Sequence, residues 1–458
     1  MARPFEPENE IAADLETPVS AFLKLEALEP VFLLESAAGG ERLGRYSFIG
    51  LGERNRIVLE RDRMLVDGVE RPVSTGPMEA LRIWLAEEGP DAPRIARGPA
   101  GLVGYVGYEA AGWFERLPVP QGRLFELPTA AFVVPRGILV FDHLRSTIRY
   151  HSLVDEDEAR MRERVRRALS AVADRPRTGK SSPPRPHLEI DHFLDAVRAA
   201  QEHILDGDAY QIVLSIRFEG ESDADPFAVY RALRILNPSP YLYFLRVAGA
   251  SIVGSSPEAL ARLEGRRALL RPIAGTRPRG ADEEEDADLA RELAADAKEN
   301  AEHTMLVDLA RNDLGQVAAT GSVEVSALMQ IERYSHVMHL VSTVEGVLKT
   351  GADQFDLFRS AFPAGTVTGA PKIRAMEILH GLEGAARGPY AGAVGYFGVD
   401  GSMDQAIAIR TLVFHDGRYA FQAGAGIVAD SVPDREHAEI VSKGRAMEQA
   451  LELASEPI

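Results

Sequence analysis

Carboxylates recur at helical spacing in two distant parts of this chain. In residues 296–313 (DAKENAEHTMLVDLARND), Glu299 and Glu302 lie three apart and share one helical face. Near the C-terminus, in DREHAEIVSKGRA, Glu436, Glu439 and Lys443 stand at i, i+3 and i+7, again on one face. Two such helices could converge on one hard cation. Mg²⁺ would suit them, because it takes oxygen ligands from one or two carboxylates and keeps several waters. The same spacing serves solvated helix faces laced with local ion pairs, so by itself it leaves both readings open.

Glycine clusters supply a second kind of chemistry, since bare backbone N–H groups can face an anion. Gly424-Ala425-Gly426 follows the apolar run 419–422 and reads either as such a cradle or as a tight strand turn. Residues 272–280 (PIAGTRPRG) join a donor-bearing loop to two arginines. Residues 362–372 (FPAGTVTGAPK) open a helix expected over 373–382, whose N-terminus would favour an anion. This last segment lacks the Gly-Lys-Ser/Thr ending of a P-loop.

Composition bounds what such sites can serve. A net charge of -18 over 458 residues argues against nucleic acid as a partner, but not against a small anion in a locally positive pocket. No apolar run reaches the ~18 residues of a membrane span, and no signal-peptide core opens the chain, so a cytoplasmic protein without membrane contact is expected. The cysteine count is zero. Chemistry that takes ammonia from glutamine through a thiolate would need a second protein.

The elements that must position these groups begin with strand-like runs at 45–51, 56–61 and 64–66, with Asp67-Gly68 as a hairpin turn. Helical patterns cover 77–85, 190–205 and one long stretch from 286 to 314, and 210–218 reads as a buried strand. The Pro- and Ser-rich seam 174–186 has no apolar periodicity and reads as a linker or exposed loop. An internal echo links RGPAGLVGYVG at 97–107 with RGPYAGAVGYFG at 387–398, which fits two similar Gly-rich strands meeting or a doubled architecture.

Taken in order, the motifs GDAYQIVLS, SSPEAL, PIAGTRPRG, DAKENAEHTMLVDLARND, FPAGTVTGAPKIRAMEIL, GAVGYFG, MDQAIAIRT and GAGIVADSVPDREHAE closely resemble those of the chorismate-utilising enzymes. They cover nearly all of 190–450. The resemblance implies an α+β fold of two large antiparallel β-sheets packed as a sandwich and flanked by helices, with the active site between the sheets. It implies a division into an N-terminal region 1–173, a linker 174–189 and a chorismate-binding domain 190–458. It assigns Mg²⁺ to Glu302 and Glu439, with Glu299 and Glu436 holding its waters. It assigns substrate carboxylate contacts to Gly275, Thr276, Gly424, Ala425, Gly426 and Lys443, and the enolpyruvyl carboxylate to Tyr390 and Arg410. Glu258 would help the 4-hydroxyl leave, while His339 and Thr366 line the ring. Chorismate is a dianion, so its burial demands such partners, and Glu258 would need a pKa raised by burial or neighbouring carboxylates.

Two positions choose among the branches of the family. Where the isochorismate and salicylate branch carries a lysine base, this chain has Gln211, and where the aminodeoxychorismate branch reads PIKGT, it has Ala274. The resemblance then implies the anthranilate-forming branch: ammonia attacks C2 of chorismate and pyruvate is eliminated. The implied partners are a glutamine amidotransferase subunit in a hetero-oligomer and L-tryptophan as feedback inhibitor. Leu34, Glu35 and Ser36, with Pro240, Tyr241 and Leu242, resemble the tryptophan-binding elements of that branch. The alternatives are the aminodeoxychorismate activity and a catalytically silent tryptophan-binding regulator.

Overall fold

Two long strands, Tyr46–Leu59 and Ala130–Asp142, pair with each other along nearly their whole length and bend together, with a register shift between Glu53 and Asn55. A computed structural model describes residues 8–36, 44–90, 98–119, 122–334 and 337–457. The bend divides the pair between two antiparallel sheets. On one side of it, Phe48–Leu51 continue through Pro30–Glu35, Tyr241–Val247, Ala250–Ser256, Thr411–His415 and Arg418–Ile427 to Gln211–Glu221. On the other side, Ala130–Val133 continue through Gly101–Val106, Ala393–Gly398, Met403–Ile407, Ala259–Glu264 and Arg267–Leu270 to Val337–Val347. This last strand is flanked by Ile273–Pro278 and Glu324–Arg333.

The expected pair of packed sheets is therefore present, with the two sheets sharing their longest strands. Between them lies one apolar layer, in which Phe32, Tyr243, Leu245 and Ile252 meet Val103, Tyr105, Val133 and Val394. Helices cover the outer faces. Pro77–Glu88, Ala297–Gly315 and Gln354–Ala361 pack on one sheet, while Pro18–Lys24, Pro226–Leu236 and Pro433–Leu453 pack on the other. No helix of the described residues is long and apolar enough to cross a membrane.

The internal echo is a direct pairing. Gly101–Val106 lies antiparallel to Ala393–Gly398 with Gly104 opposite Gly395, and a side chain at either glycine would strike the neighbouring backbone. Arg97, at the head of the first copy, lies outside the described residues.

Four expectations change in detail. The runs at 45–51 and 56–61 are one strand, because the polar residues that break their alternation, Glu53 to Asn55, sit at the bend. The long helix divides at Asp296, whose carboxylate accepts the N–H groups of Lys298 (3.0 Å) and Glu299 (3.1 Å) and so caps Ala297–Gly315. Gly424-Ala425-Gly426 forms no turn, since the strand runs on to Ile427 with Gly424 opposite Ser215. The seam after residue 173 is tied down, with Arg185–Pro186 pairing against Phe218 and Glu219.

Candidate functional site

The site forms where the chain crosses between the sheets. Glu258 lies between the strands ending at Ser256 and starting at Ala259; Arg410 lies between those ending at Ile407 and starting at Thr411. The two crossings hold each other: Ile407 N–H donates to the Glu258 carbonyl (3.0 Å), and Ser255 N–H to the Arg410 carbonyl (3.1 Å). Arg410 has φ 50°, in the left-handed region, which costs a non-glycine residue roughly 1–2 kcal/mol. Its guanidinium makes a long hydrogen bond to Asn237 Oδ1 (3.5 Å), and among the described residues it has no carboxylate at ion-pair distance. Burial lowers its pKa, and Glu258 opposes that shift. A buried cation so placed is a ready partner for an incoming carboxylate.

Glu258 is buried, and the Thr366 hydroxyl donates to its Oε1 at 3.0 Å. Burial pushes its pKa up to about 8, against the lowering effects of Thr366 and Arg410. Of the two causes the sequence left open, burial is the one at work; the carboxyl is protonated at neutral pH and can donate.

His339 faces this pair from the strand Val337–Val347. Its Nδ1 lies 3.1 Å from the Gly275 carbonyl oxygen and 3.0 Å from Thr276 Oγ1. A carbonyl only accepts, so that contact puts the proton on Nδ1 and leaves Nε2 an acceptor. Burial, with Arg410 nearby, lowers the pKa of His339 and keeps the imidazole neutral. Gly275 has φ +64 at a bulge between Ala274 and Thr276, and a Cβ there would come within 3.2 Å of Glu299 Oε2. Arg277 and Arg279, drawn from the same loop, brace helices through Asp296 (2.8 Å) and Asp286 (2.5 Å).

A second group of the expected residues gathers on and around the strand Arg418–Ile427. A methyl group at Gly424 would lie 2.6 Å from the Tyr390 hydroxyl, and one at Gly426 would lie 2.6 Å from Gln211 Nε2. Ala425, between them, is opposite Leu214 and buried. Gln211 donates to Glu302 Oε1 (3.0 Å), and Lys443 donates to the Gly424 carbonyl (3.0 Å) while pairing with Glu439 (2.7 Å). Tyr390 is buried, and burial pushes its phenol up to about 12, so it remains a donor.

The acidic groups stand as two pairs on two helices; among the described residues no three His, Asp or Glu side chains converge as a ready cluster. Burial and the charge of Glu302 raise the pKa of Glu299. Burial and Glu439 raise that of Glu436, partly offset by a hydrogen bond from Ser431 and by Lys298 and Lys443. Like charges held side by side at a protein surface suit a cation, and two pairs without a closed cage suit one that keeps water and takes substrate oxygens.

The six residues expected to bind tryptophan, Leu34, Glu35, Ser36, Pro240, Tyr241 and Leu242, line one cavity of about 700 Å³. Pairing of Leu242 with Glu35 brings their two segments together. The Ser36 hydroxyl is buried without a hydrogen-bond partner among the described residues, whereas Glu35 is held from behind by Arg234 (3.1 Å) and Tyr230. The sequence reading missed Arg262, Arg271, Tyr396 and Asp404 in this cavity. It also missed Glu383 and Arg387, a buried ion pair (2.6 Å) behind Tyr390; their i, i+4 spacing was the available signal.

Residues 29–449 match the family model described as chorismate binding enzyme, and the chain belongs to that family. It is 47% identical to anthranilate synthase component 1 of Thermus thermophilus, over 96% of each chain. It is 42% identical to the protein of that name from Acetivibrio thermocellus, over 98% of this chain and 95% of that one. Among solved structures it resembles anthranilate synthase component I from Streptococcus pneumoniae, with a TM-score of 0.79 and 32% identity over 97% of this chain and 100% of that one. The menaquinone-specific isochorismate synthase MenF of Escherichia coli shares the fold, with a TM-score of 0.73 at 19% identity, over 96% and 94% of the two chains.

Proposed function

We propose that this chain is the chorismate-aminating component of an anthranilate synthase, converting chorismate and ammonia to anthranilate and pyruvate. The observation that carries the reading is Glu258, a buried carboxyl hydrogen-bonded by Thr366 (3.0 Å), whose pKa burial pushes up to about 8. Loss of the 4-hydroxyl as water requires such an acid. In this scheme ammonia forms the C2–N bond while both ring double bonds shift and the C4–O bond breaks; the departing oxygen takes the Glu258 proton and leaves as water, and the new ammonium group gives up one proton. The C2 proton is then removed as the C3–O bond breaks, leaving an aromatic ring and enolpyruvate, which takes up a proton to become pyruvate. Neutral His339, with Nε2 free to accept, is suited to receive a proton here. Arg410 and Tyr390 would pair one substrate carboxylate, and Thr276, Lys443 and the 424–426 backbone the other.

Gln211 and Ala274 favour direct attack by ammonia at C2 over the lysine-dependent branches, because neither carries an amine. Glu302 and Glu439 would hold Mg²⁺, with Glu299 and Glu436 fixing its waters. When bound, the ion would act as a Lewis acid toward the ring carboxylate. The test is product identification: chorismate, ammonium and Mg²⁺ should yield anthranilate, and aminodeoxychorismate as product would sink the reading.

The nitrogen source follows from composition. With no cysteine in its 458 residues, the isolated chain should use ammonium and leave glutamine untouched until a glutamine amidotransferase subunit is added. Glutamine-driven turnover by the chain alone would refute the need for that partner. Tryptophan is proposed for the 700 Å³ cavity, whose size and mixed lining suit an aromatic amino acid. Ser36→Ala should weaken tryptophan inhibition by about 1 kcal/mol, roughly fivefold, the worth of one hydrogen bond, while sparing uninhibited turnover. An unchanged inhibition constant would remove Ser36 from the site.

A further inference from the structure

We propose that the buried Glu383–Arg387 pair is the positioning device of the site, fixing Thr366 and Tyr390 against the strand that carries Gln211. The inference rests on the chorismate reading above. Arg387 is 1% exposed. Its Nε donates to Glu383 Oε2 (2.7 Å) and its Nη2 to Oε1 (2.6 Å). The remaining reach of the fork goes to two backbone carbonyls: Nη1 to Val367 (2.6 Å) and Nη2 to Val213 (2.7 Å). Val367 adjoins Thr366, which holds Glu258; Val213 lies two residues beyond Gln211.

Glu383 is equally committed. Its Oε1 accepts the N–H (2.9 Å) and hydroxyl (2.6 Å) of Ser215, and Gln422 donates to that hydroxyl (2.8 Å) from a position two before Gly424. The guanidinium also stands 4.6 Å from the Tyr108 ring centre and 5.7 Å from that of Tyr390, whose hydroxyl abuts Gly424. Glu109 fixes the segment by accepting the N–H groups of Arg387 (2.7 Å) and Gly388 (3.1 Å). One planar cation thus ties together the Thr366 turn, the Gln211 strand and the Tyr390 ring. Apolar side chains of similar volume fill a core as stably as a buried ion pair, so stability alone does not account for this one. Lysine, a point charge with three donors, reproduces neither the flat fork nor the ring stacking.

The experiment compares wild type with Arg387→Lys and Ser215→Ala. It measures steady-state kinetics with ammonium, the pH profile of kcat/KM, chorismate affinity by calorimetry, the active fraction and thermal unfolding. Misplacing Thr366 and Tyr390 should cost Arg387→Lys on the order of a hundredfold in kcat/KM, with a raised KM and weaker chorismate binding. Its alkaline limb should move upward, because the Thr366 bond that lowers the Glu258 pKa is loosened. Ser215→Ala should move the same quantities the same way by a smaller factor. A purely structural pair would lower kcat only in proportion to the active fraction, leaving KM, affinity and the alkaline limb as in wild type; that result overturns the proposal. If Arg387→Lys does not fold, Ser215→Ala decides by the same criteria. Wild-type turnover reports separately on the functional reading: were it absent, chorismate affinity of the variants would still decide the role of the pair.

Discussion

Replacing Glu258 by Gln is expected to lower kcat roughly 10²–10⁴-fold, the usual worth of a positioned general acid. Glutamine keeps the size of the side chain and can still meet the Thr366 hydroxyl, so the loss isolates the proton. The pH dependence gives a second mark. The working form is the protonated one, and burial has pushed the pKa up to about 8. At a fixed concentration of free ammonia, activity should therefore be full below that value and fall as pH rises through it, the opposite of a carboxylate acting as a base. The rate–pH profile of the wild type should show this alkaline limb, and Glu258→Gln should lose it. Retention of the same limb in the variant would assign the proton to another group, and near-normal turnover would remove Glu258 from the chemistry.

Glu302→Gln and Glu439→Gln are expected to abolish most turnover at limiting Mg²⁺. Each change removes one negative charge from a helix pair where burial and a like-charged neighbour already burden the partner carboxylates Glu299 and Glu436. Partners that merely orient a metal ligand are worth roughly 10–100-fold in metal affinity, so loss of an oxygen proposed to bind Mg²⁺ directly should exceed that. Titration of activity against Mg²⁺ should show half-saturation displaced by at least that factor, with unfolding temperature little changed. The two sites differ in one respect. Glu302 is held by neutral Gln211, whereas Glu439 pairs with Lys443, which also bonds the Gly424 carbonyl. Glu439→Gln should therefore also weaken chorismate binding through a released Lys443. Wild-type Mg²⁺ dependence in both variants would remove these helices from ion binding.

Local pattern was enough for the helix over 190–205, which matches Ile190–Leu205, and for the Asp67-Gly68 turn, where both residues adopt positive φ. It was enough too for the two carboxylate faces, because 3.6-residue periodicity needs no tertiary context. It failed where tertiary shape decides. Nothing in residues 51–56 announces that a strand bends there to serve two sheets, and Asp296 reads as helix interior until its side chain is seen turning back to cap the next helix. At the proposed site, motif order named Glu258, Arg410 and Tyr390 as candidates, but left the cause of the raised acid open; burial is a property of packing. Arg387 stayed hidden for the same reason, since its partners are carbonyls, and carbonyls carry no sequence signal.

The shared bent strands and the glycine pairing of Gly101–Val106 with Ala393–Gly398 bear on how the chain can be cut. A fragment starting near residue 190 would leave Ala393–Gly398 without that neighbour and Tyr241–Val247 without Pro30–Glu35. Both would become raw edges with unmet hydrogen bonds, prone to self-association. The first third of the chain thus completes both sheets that carry the proposed site and borders the cavity proposed for tryptophan, so cutting it away would disturb the two together.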